Sequence, residues 1–142
     1  MEFVVNSYRA AGVAAHVVSF IDDMAGAYQW SDVIISRAGA SSVAEISYVN
    51  RPTIFVPYPF QQGTHQTDNA QVLVDKKKAL LVDETQTGFS SRLKDALEKL
   101  LNPSIFREMK ELSVDSPSTQ AAQAIAEGIL SIVTSHGQRT LS

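Results

Sequence analysis

An α/β fold, a Rossmann-like parallel sheet with flanking helices, is predicted by three features of the sequence. Short apolar runs rich in β-branched residues alternate with segments of helical periodicity. These runs are apolar almost throughout, the pattern of strands covered on both faces rather than on one. Small, polar or proline-containing turns separate the two kinds of segment, as strand–helix units require.

The elements follow in order. Residues 8–12 (YRAAG) read as the end of a helix, and residues 15–20 (AHVVSF) as a first strand. Residues 24–30 form a short helix behind an Asp22-Asp23 start, with Trp30 expected in the core. Residues 32–36 (DVIIS) are a second strand, followed by a helix over 42–49 with Val43, Ile46 and Val49 on one face. Residues 53–56 (TIFV) are a third strand. The next helix runs from about 64 to 77, with Ala70, Leu73 and Val74 inward, and leads to a weaker strand over 79–82 (ALLV). Beyond Glu84 only helical spacing remains. Residues 90–101 carry Leu93, Ala96, Leu97 and Leu100 inward, and Asn102-Pro103 ends that helix. Residues 103–112 and about 118–133 are two more helices, and the polar tail 135–142 is expected to fray.

Length and composition set the class. A chain of 142 residues, 44% hydrophobic and 19% charged, suits one globular domain and excludes an unfolded tail. With 12 Lys and Arg against 15 Asp and Glu the net charge is −3, and no basic stripe exists to meet a phosphate backbone. Nucleic acid is therefore not an expected partner. The run Lys76-Lys77-Lys78 reads as a solvated helix end. Without cysteine there is no disulfide, thiolate nucleophile or zinc knuckle. Apolar runs fall far short of the ~20 residues of a membrane span, and MEFVV lacks the basic-then-apolar pattern of a secretory signal.

In open α/β sheets ligands bind beyond the carboxyl ends of the strands, so the turns there carry the candidate chemistry. After the second strand comes Ser36-Arg37-Ala38-Gly39-Ala40-Ser41-Ser42. Small residues and a glycine at a strand-to-helix turn let a phosphate reach the backbone N–H groups and the positive end of a helix dipole. Ser41 and Ser42 add hydroxyls. Glu45 lies one helical turn beyond Ser41, where its carboxylate could accept both hydroxyls of a ribose. The same glutamate completes the pattern S-x-x-E from Ser42, a capping box that would keep it on the backbone. Pattern alone leaves both roles open.

After the third strand, Pro57 to Thr64 forms a stiff proline segment and a glycine hinge before a helix whose first turn holds His65, Gln66 and Asn69. Three neutral hydrogen-bonding side chains suit sugar hydroxyls, or else a solvated helix start. A metal would want more imidazole or carboxylate ligands than Asp68 supplies. At the end of the first strand Phe20, Ile21 and Met24 could pack a flat base, or simply belong to the core. His16 and His136 read as structural or solvated.

The stretches FIDDM, SDVIISRAGASSVAEI, RPTIFVPYPF and HQTDNAQVL together resemble the MurG family, the bacterial transferases that add N-acetylglucosamine to lipid I. The similarity covers nearly the whole chain in the family's order. It implies the C-terminal, donor-binding domain of a GT-B glycosyltransferase, incomplete over residues 1–134. By this resemblance Phe20, Ile21 and Met24 border the uracil of UDP-N-acetylglucosamine. Gly39, Ala40, Ser41 and Ser42 line the diphosphate, Glu45 takes the ribose, and His65, Gln66 and Asn69 address the sugar. Many relatives carry glutamine where His65 stands.

The resemblance also implies what the chain lacks. The acceptor domain that meets lipid I is not in it, nor are the opening strand and glycine-rich loop of the donor domain. No catalytic residue, metal or cofactor is assigned here, and transfer by the chain alone is not expected. The full enzyme would work in the cytoplasm, at the cytoplasmic face of the inner membrane. Two other functions remain: a non-catalytic UDP-sugar-binding subunit serving a separate membrane partner, and a nucleotide-sugar epimerase, which would want further acid and base residues. An uncovered sheet edge also predicts self-association, which a clean monomer in sedimentation at high concentration would contradict.

Overall fold

The computed structural model describes residues 1–59, 65–112, 123–127 and 129. They fall into two units, Met1–Ser31 and Asp32–Ser142. The glycine hinge at 63 and the tail 135–142 lie outside the described residues, as does most of the last expected helix, of which 123–127 and 129 are helical.

In the first unit, helix α1 (Glu2–Ala10) ends in a Schellman turn. Val13 N–H donates to Tyr8 O at 3.0 Å and Gly12 N–H to Arg9 O at 3.1 Å. Gly12 supplies the left-handed residue this turn needs, at φ +67°. Helix α2 (Met24–Trp30) starts on Asp23, whose Oδ1 accepts from Gly26 N–H at 2.8 Å. Neither helix buries a residue. Trp30 is 88% exposed, which overturns its expected place in the core. It is the last residue of a seven-residue helix that buries none of its side chains.

The strand expected over 15–20 does not form. Apolar β-branched sequence reports a fit to a pleated surface, but a strand exists only where a neighbour completes its ladder.

The second unit carries the sheet. Its elements are β1 (Ile34–Ser36), α3 (Ala40–Val49), β2 (Thr53–Phe55), α4 (His65–Asp75), β3 (Ala79–Leu81), α5 (Phe89–Leu101) and α6 (Pro103–Glu111). The three strands run parallel in the order β1-β2-β3, with Ile34 opposite Thr53 and Thr53 opposite Ala79. Helices between consecutive strands make the crossovers that parallel pairing requires. All of Thr53, Ile54 and Phe55 are buried. Ile54 joins Val82, Leu100 and Met109 in a core packed by α5 and α6 side chains such as Leu93, Leu97, Ile105 and Phe106. By the two-residue period of a strand, Thr53 and Phe55 point to the other face. Helices α3 and α4 pack together and bury Val43, Ile46, Ala70 and Leu73, none of which joins that core. The sheet is thus covered on both sides, as its uninterrupted apolar strands predict.

Asn102 separates α5 from α6. Its side chain accepts from Ser104 N–H at 3.0 Å, and Pro103 follows in the first helical position, where a missing N–H costs nothing.

Lys78 departs from its expected place in solvent, being only 4% exposed. Helix α4 ends in a second Schellman turn, with Lys77 at φ 57° and Lys78 N–H bonded to Leu73 O at 2.9 Å. This turn carries Lys78 inward. Its Nζ donates to Asn50 Oδ1 and, at 2.7 Å, to Met109 O near the end of α6. Asn50 in turn donates to Lys110 O at 3.2 Å. The ammonium thus sits among carbonyl ends of helices, where a cation is favoured. Burial nevertheless pushes its pKa below the ordinary value of 10.5. A lysine whose folded pKa is depressed adds stability above its unfolded pKa, and this gain is lost as pH falls through the folded value. Lys78→Met should cost about 1–3 kcal/mol at pH 7, by orphaning the buried Met109 O and the partly buried Asn50 Oδ1. The deficit should widen toward pH 10, because only the wild type gains there. Urea unfolding of both proteins across that range checks the slope.

Candidate functional site

The site is built where β1 ends. The chain passes through Arg37 and Ala38, and α3 starts on Gly39 as its N-cap, with φ −62° and ψ 150°. The expected start at Ser42 is therefore late, and Ser41 and Ser42 lie inside the first turn. This removes the capping box. Ser42 is not the cap, and Glu45 stands too deep in the helix to reach back to Gly39.

The first backbone bond of α3 is Val43 N–H to Gly39 O at 2.9 Å. Among the described residues no side chain caps the helix. Among the described residues the N–H groups of Ala40, Ser41 and Ser42 have no acceptor, as expected of a helix start left open. Three donors at the positive end of a helix dipole suit an anion such as a phosphate. Gly39 is not there to relieve its own chain. Its backbone is one any residue adopts, and among the described residues an added Cβ would meet only Ser42 Oγ, at 3.9 Å. Glycine keeps open the space in front of the turn. Glu45 is exposed one turn further along the helix, on the same face as Ser41 and Ser42.

Gln66 and Asn69, from the first two turns of α4, grip this turn directly. Gln66 Oε1 accepts from Tyr58 N–H at 2.9 Å and from Ala38 N–H at 3.3 Å. Asn69 Nδ2 donates to Ala38 O at 3.2 Å. These side chains thus hold the glycine turn, the loop after β2 and the start of α4 together. His65, the first residue of α4, is exposed and makes no hydrogen bond among the described residues.

Sequence reasoning missed Arg37. Its guanidinium donates to Val56 O at 3.2 Å and Pro57 O at 3.3 Å, and pairs with both oxygens of Glu84 at 2.8 and 3.2 Å. It also lies over the Tyr58 ring, 5.6 Å from the centroid. No local pattern announces a pair whose members lie on different strand ends. Beside Glu84, the carboxylate of Asp83 accepts from Thr85 Oγ1 at 2.7 Å and Thr85 N–H at 2.9 Å. These bonds, the hydroxyl first, hold its pKa below the usual carboxylate value.

In the first unit, Phe20, Ile21 and Met24 come together. With Val4, Tyr8 and Val18 they line an open groove of about 550 Å³ that is mostly apolar. Phe20 is 75% exposed there, so it is not ordinary core. Among the described residues no group of three or more His, Cys, Asp and Glu is placed to hold a metal ion.

Comparison with known proteins gives this geometry a family. The model of the glycosyltransferase family 28 C-terminal domain matches residues 1–128. The chain is 34% identical over 130 residues to the UDP-N-acetylglucosamine--N-acetylmuramyl-(pentapeptide) pyrophosphoryl-undecaprenol N-acetylglucosamine transferase of Geobacter metallireducens, covering 92% of this chain and 36% of that protein. It is 40% identical over 134 residues to the Nitrosococcus oceani transferase of the same name, covering 94% of this chain and 37% of that one. The crystal structure of Acinetobacter baumannii MurG superposes with a TM-score of 0.74 at 29% identity, covering 89% of this chain and 40% of that chain. The chain thus spans little more than a third of the relatives it matches. With most of its length matched by the family model, the chain belongs to the glycosyltransferase family 28 C-terminal domain family.

Proposed function

We propose that this chain is the donor-binding portion of a MurG-type transferase, taking UDP-N-acetylglucosamine for the step that converts lipid I to lipid II. One observation carries this reading: among the described residues three backbone donors find no acceptor at the start of α3, behind a glycine that leaves their approach open. The relatives' names specify a UDP-N-acetylglucosamine donor and a pyrophosphoryl-undecaprenol acceptor.

In this account the diphosphate rests on the N–H groups of Ala40, Ser41 and Ser42. These fixed dipoles favour the negative charge that builds on UDP as the glycosidic bond breaks. Glu45 accepts the ribose hydroxyls. Contact with the uracil is assigned to Phe20, Ile21 and Met24 as residues, and contact with the N-acetylglucosamine to His65, Gln66 and Asn69. Gln66 and Asn69 make that contact while gripping Ala38, so the sugar is read by groups that also fix the phosphate turn. The acceptor, and the group that removes its proton, belong to the other half of such a transferase, which works at the cytoplasmic face of the membrane. Among the described residues no helix is long and apolar enough to cross a membrane.

Gly39→Ala tests this reading. Among the described residues the added methyl meets only Ser42 Oγ, so stability should change by no more than about 1 kcal/mol. It would stand in front of the open N–H groups and weaken UDP roughly tenfold in calorimetric titration, about 1.4 kcal/mol. Equal affinity in the two proteins would contradict a phosphate seat at this turn.

A further inference from the structure

Arg37 and Glu84 carry an inference that rests on the donor-site reading and goes beyond it. The guanidinium starts at the end of β1, reaches two carbonyls just past β2, and closes on a carboxylate past β3. One side chain therefore ties the carboxyl ends of all the strands in this sheet. The pairing with Glu84 is bidentate, which fixes orientation as well as distance.

The loop that carries Glu84 is braced by its own hydrogen bonds and by α5. Asp83 folds the loop on itself through Thr85 and, at 3.1 Å, Gln86 Nε2. Arg92 of α5 donates to Gln86 O at 3.0 Å and to Asp83 O. On the other side of Arg37, Ala38 is bonded at both its N–H and its carbonyl by Gln66 and Asn69. The stretch immediately before the three open donors is thus fixed by one side chain and by both polar groups of the next backbone unit.

We propose that Arg37, held by Glu84, is a positioning residue that keeps the phosphate turn aimed rather than a cation that meets the phosphate. Its Nη1 and Nη2 are bonded to Val56, Pro57 and Glu84, and the adjacent carboxylate balances its charge. The anion is then met by neutral backbone dipoles whose alignment was set before it arrived, so little order is lost on binding.

Two variants and two readouts test this. Glu84→Gln keeps a hydrogen-bonding side chain but not the charge, and Arg37→Lys keeps the charge but not the planar fork. Each should speed amide exchange at Ala38 and Tyr58 at least tenfold, with the β2 amides of Ile54 and Phe55 unchanged. Each should weaken UDP about five- to tenfold, with the salt dependence of binding as in wild type. Unchanged exchange at Ala38 and Tyr58 would overturn the proposal. So would tighter, more salt-sensitive UDP binding by Glu84→Gln, which would mean that a released Arg37 contacts the phosphate. Retained affinity in Arg37→Lys would do the same. If the wild-type chain binds no UDP, the donor-site reading fails, and the exchange comparison alone decides whether Arg37 holds the turn.

Discussion

Glu45→Ala is expected to weaken UDP roughly 30- to 100-fold, about 2–3 kcal/mol, while the fold survives. The size follows from removing a charged acceptor from two ribose hydroxyls, since bonds to charged groups contribute more than neutral ones. Survival of the fold follows from where Glu45 lies. It is exposed, and the N-cap of α3 is Gly39, so no capping box is lost. A melting temperature close to wild type with binding nearly abolished separates the two roles the sequence leaves open. The opposite pattern, a lower melting temperature with UDP affinity intact, would assign Glu45 to helix stability.

The second large effect belongs to the centre of the sheet. Ile54 is fully buried on the middle strand and joins the core under α5 and α6. Truncation to alanine should cost about 2–5 kcal/mol, the transfer term plus the cavity a packed interior cannot close. With a domain stability of about 5–15 kcal/mol, that is a large share of the total. Thermal unfolding should shift down by about 10–20 °C. Any UDP binding that persists below the transition should keep its affinity, because Ile54 lies behind the site rather than in it. A shift of only a degree or two would mean that this layer packs less tightly than its burial indicates.

Much of this architecture is legible in the residues. The apolar stretches IIS, TIF and ALL pair in parallel where their composition places them. The i, i+3 apolar positions Val43 and Ile46 are the buried ones of α3. What escaped depends on partners distant in sequence. AHVVSF has strand character but pairs with no strand among the described residues, and Trp30 has core character but is exposed. Lys78 looks like part of a solvated run, yet a left-handed residue at 77 turns it inward to carbonyls that no local pattern reveals.

The candidate site was legible in kind and not in detail. Glycine and serines after a strand marked the open helix start, but the choice between Gly39 and Ser42 as cap needed the backbone itself. That choice decides what Glu45 can do. Gln66 and Asn69 stood out as sugar-facing polar groups, and their bonds to Ala38 and Tyr58 add a second task. Arg37 and Glu84 showed no signal, because each is an ordinary charged residue until the strand ends bring them together.

The central claim is that the open start of α3 seats the donor diphosphate. Titration of the labelled chain with UDP, followed by amide resonances, tests it most directly. The account predicts that the Ala40, Ser41 and Ser42 amides move first and furthest, saturating together with Gly39. Saturable shifts that leave these amides in place, or no saturable shift at all, would contradict it.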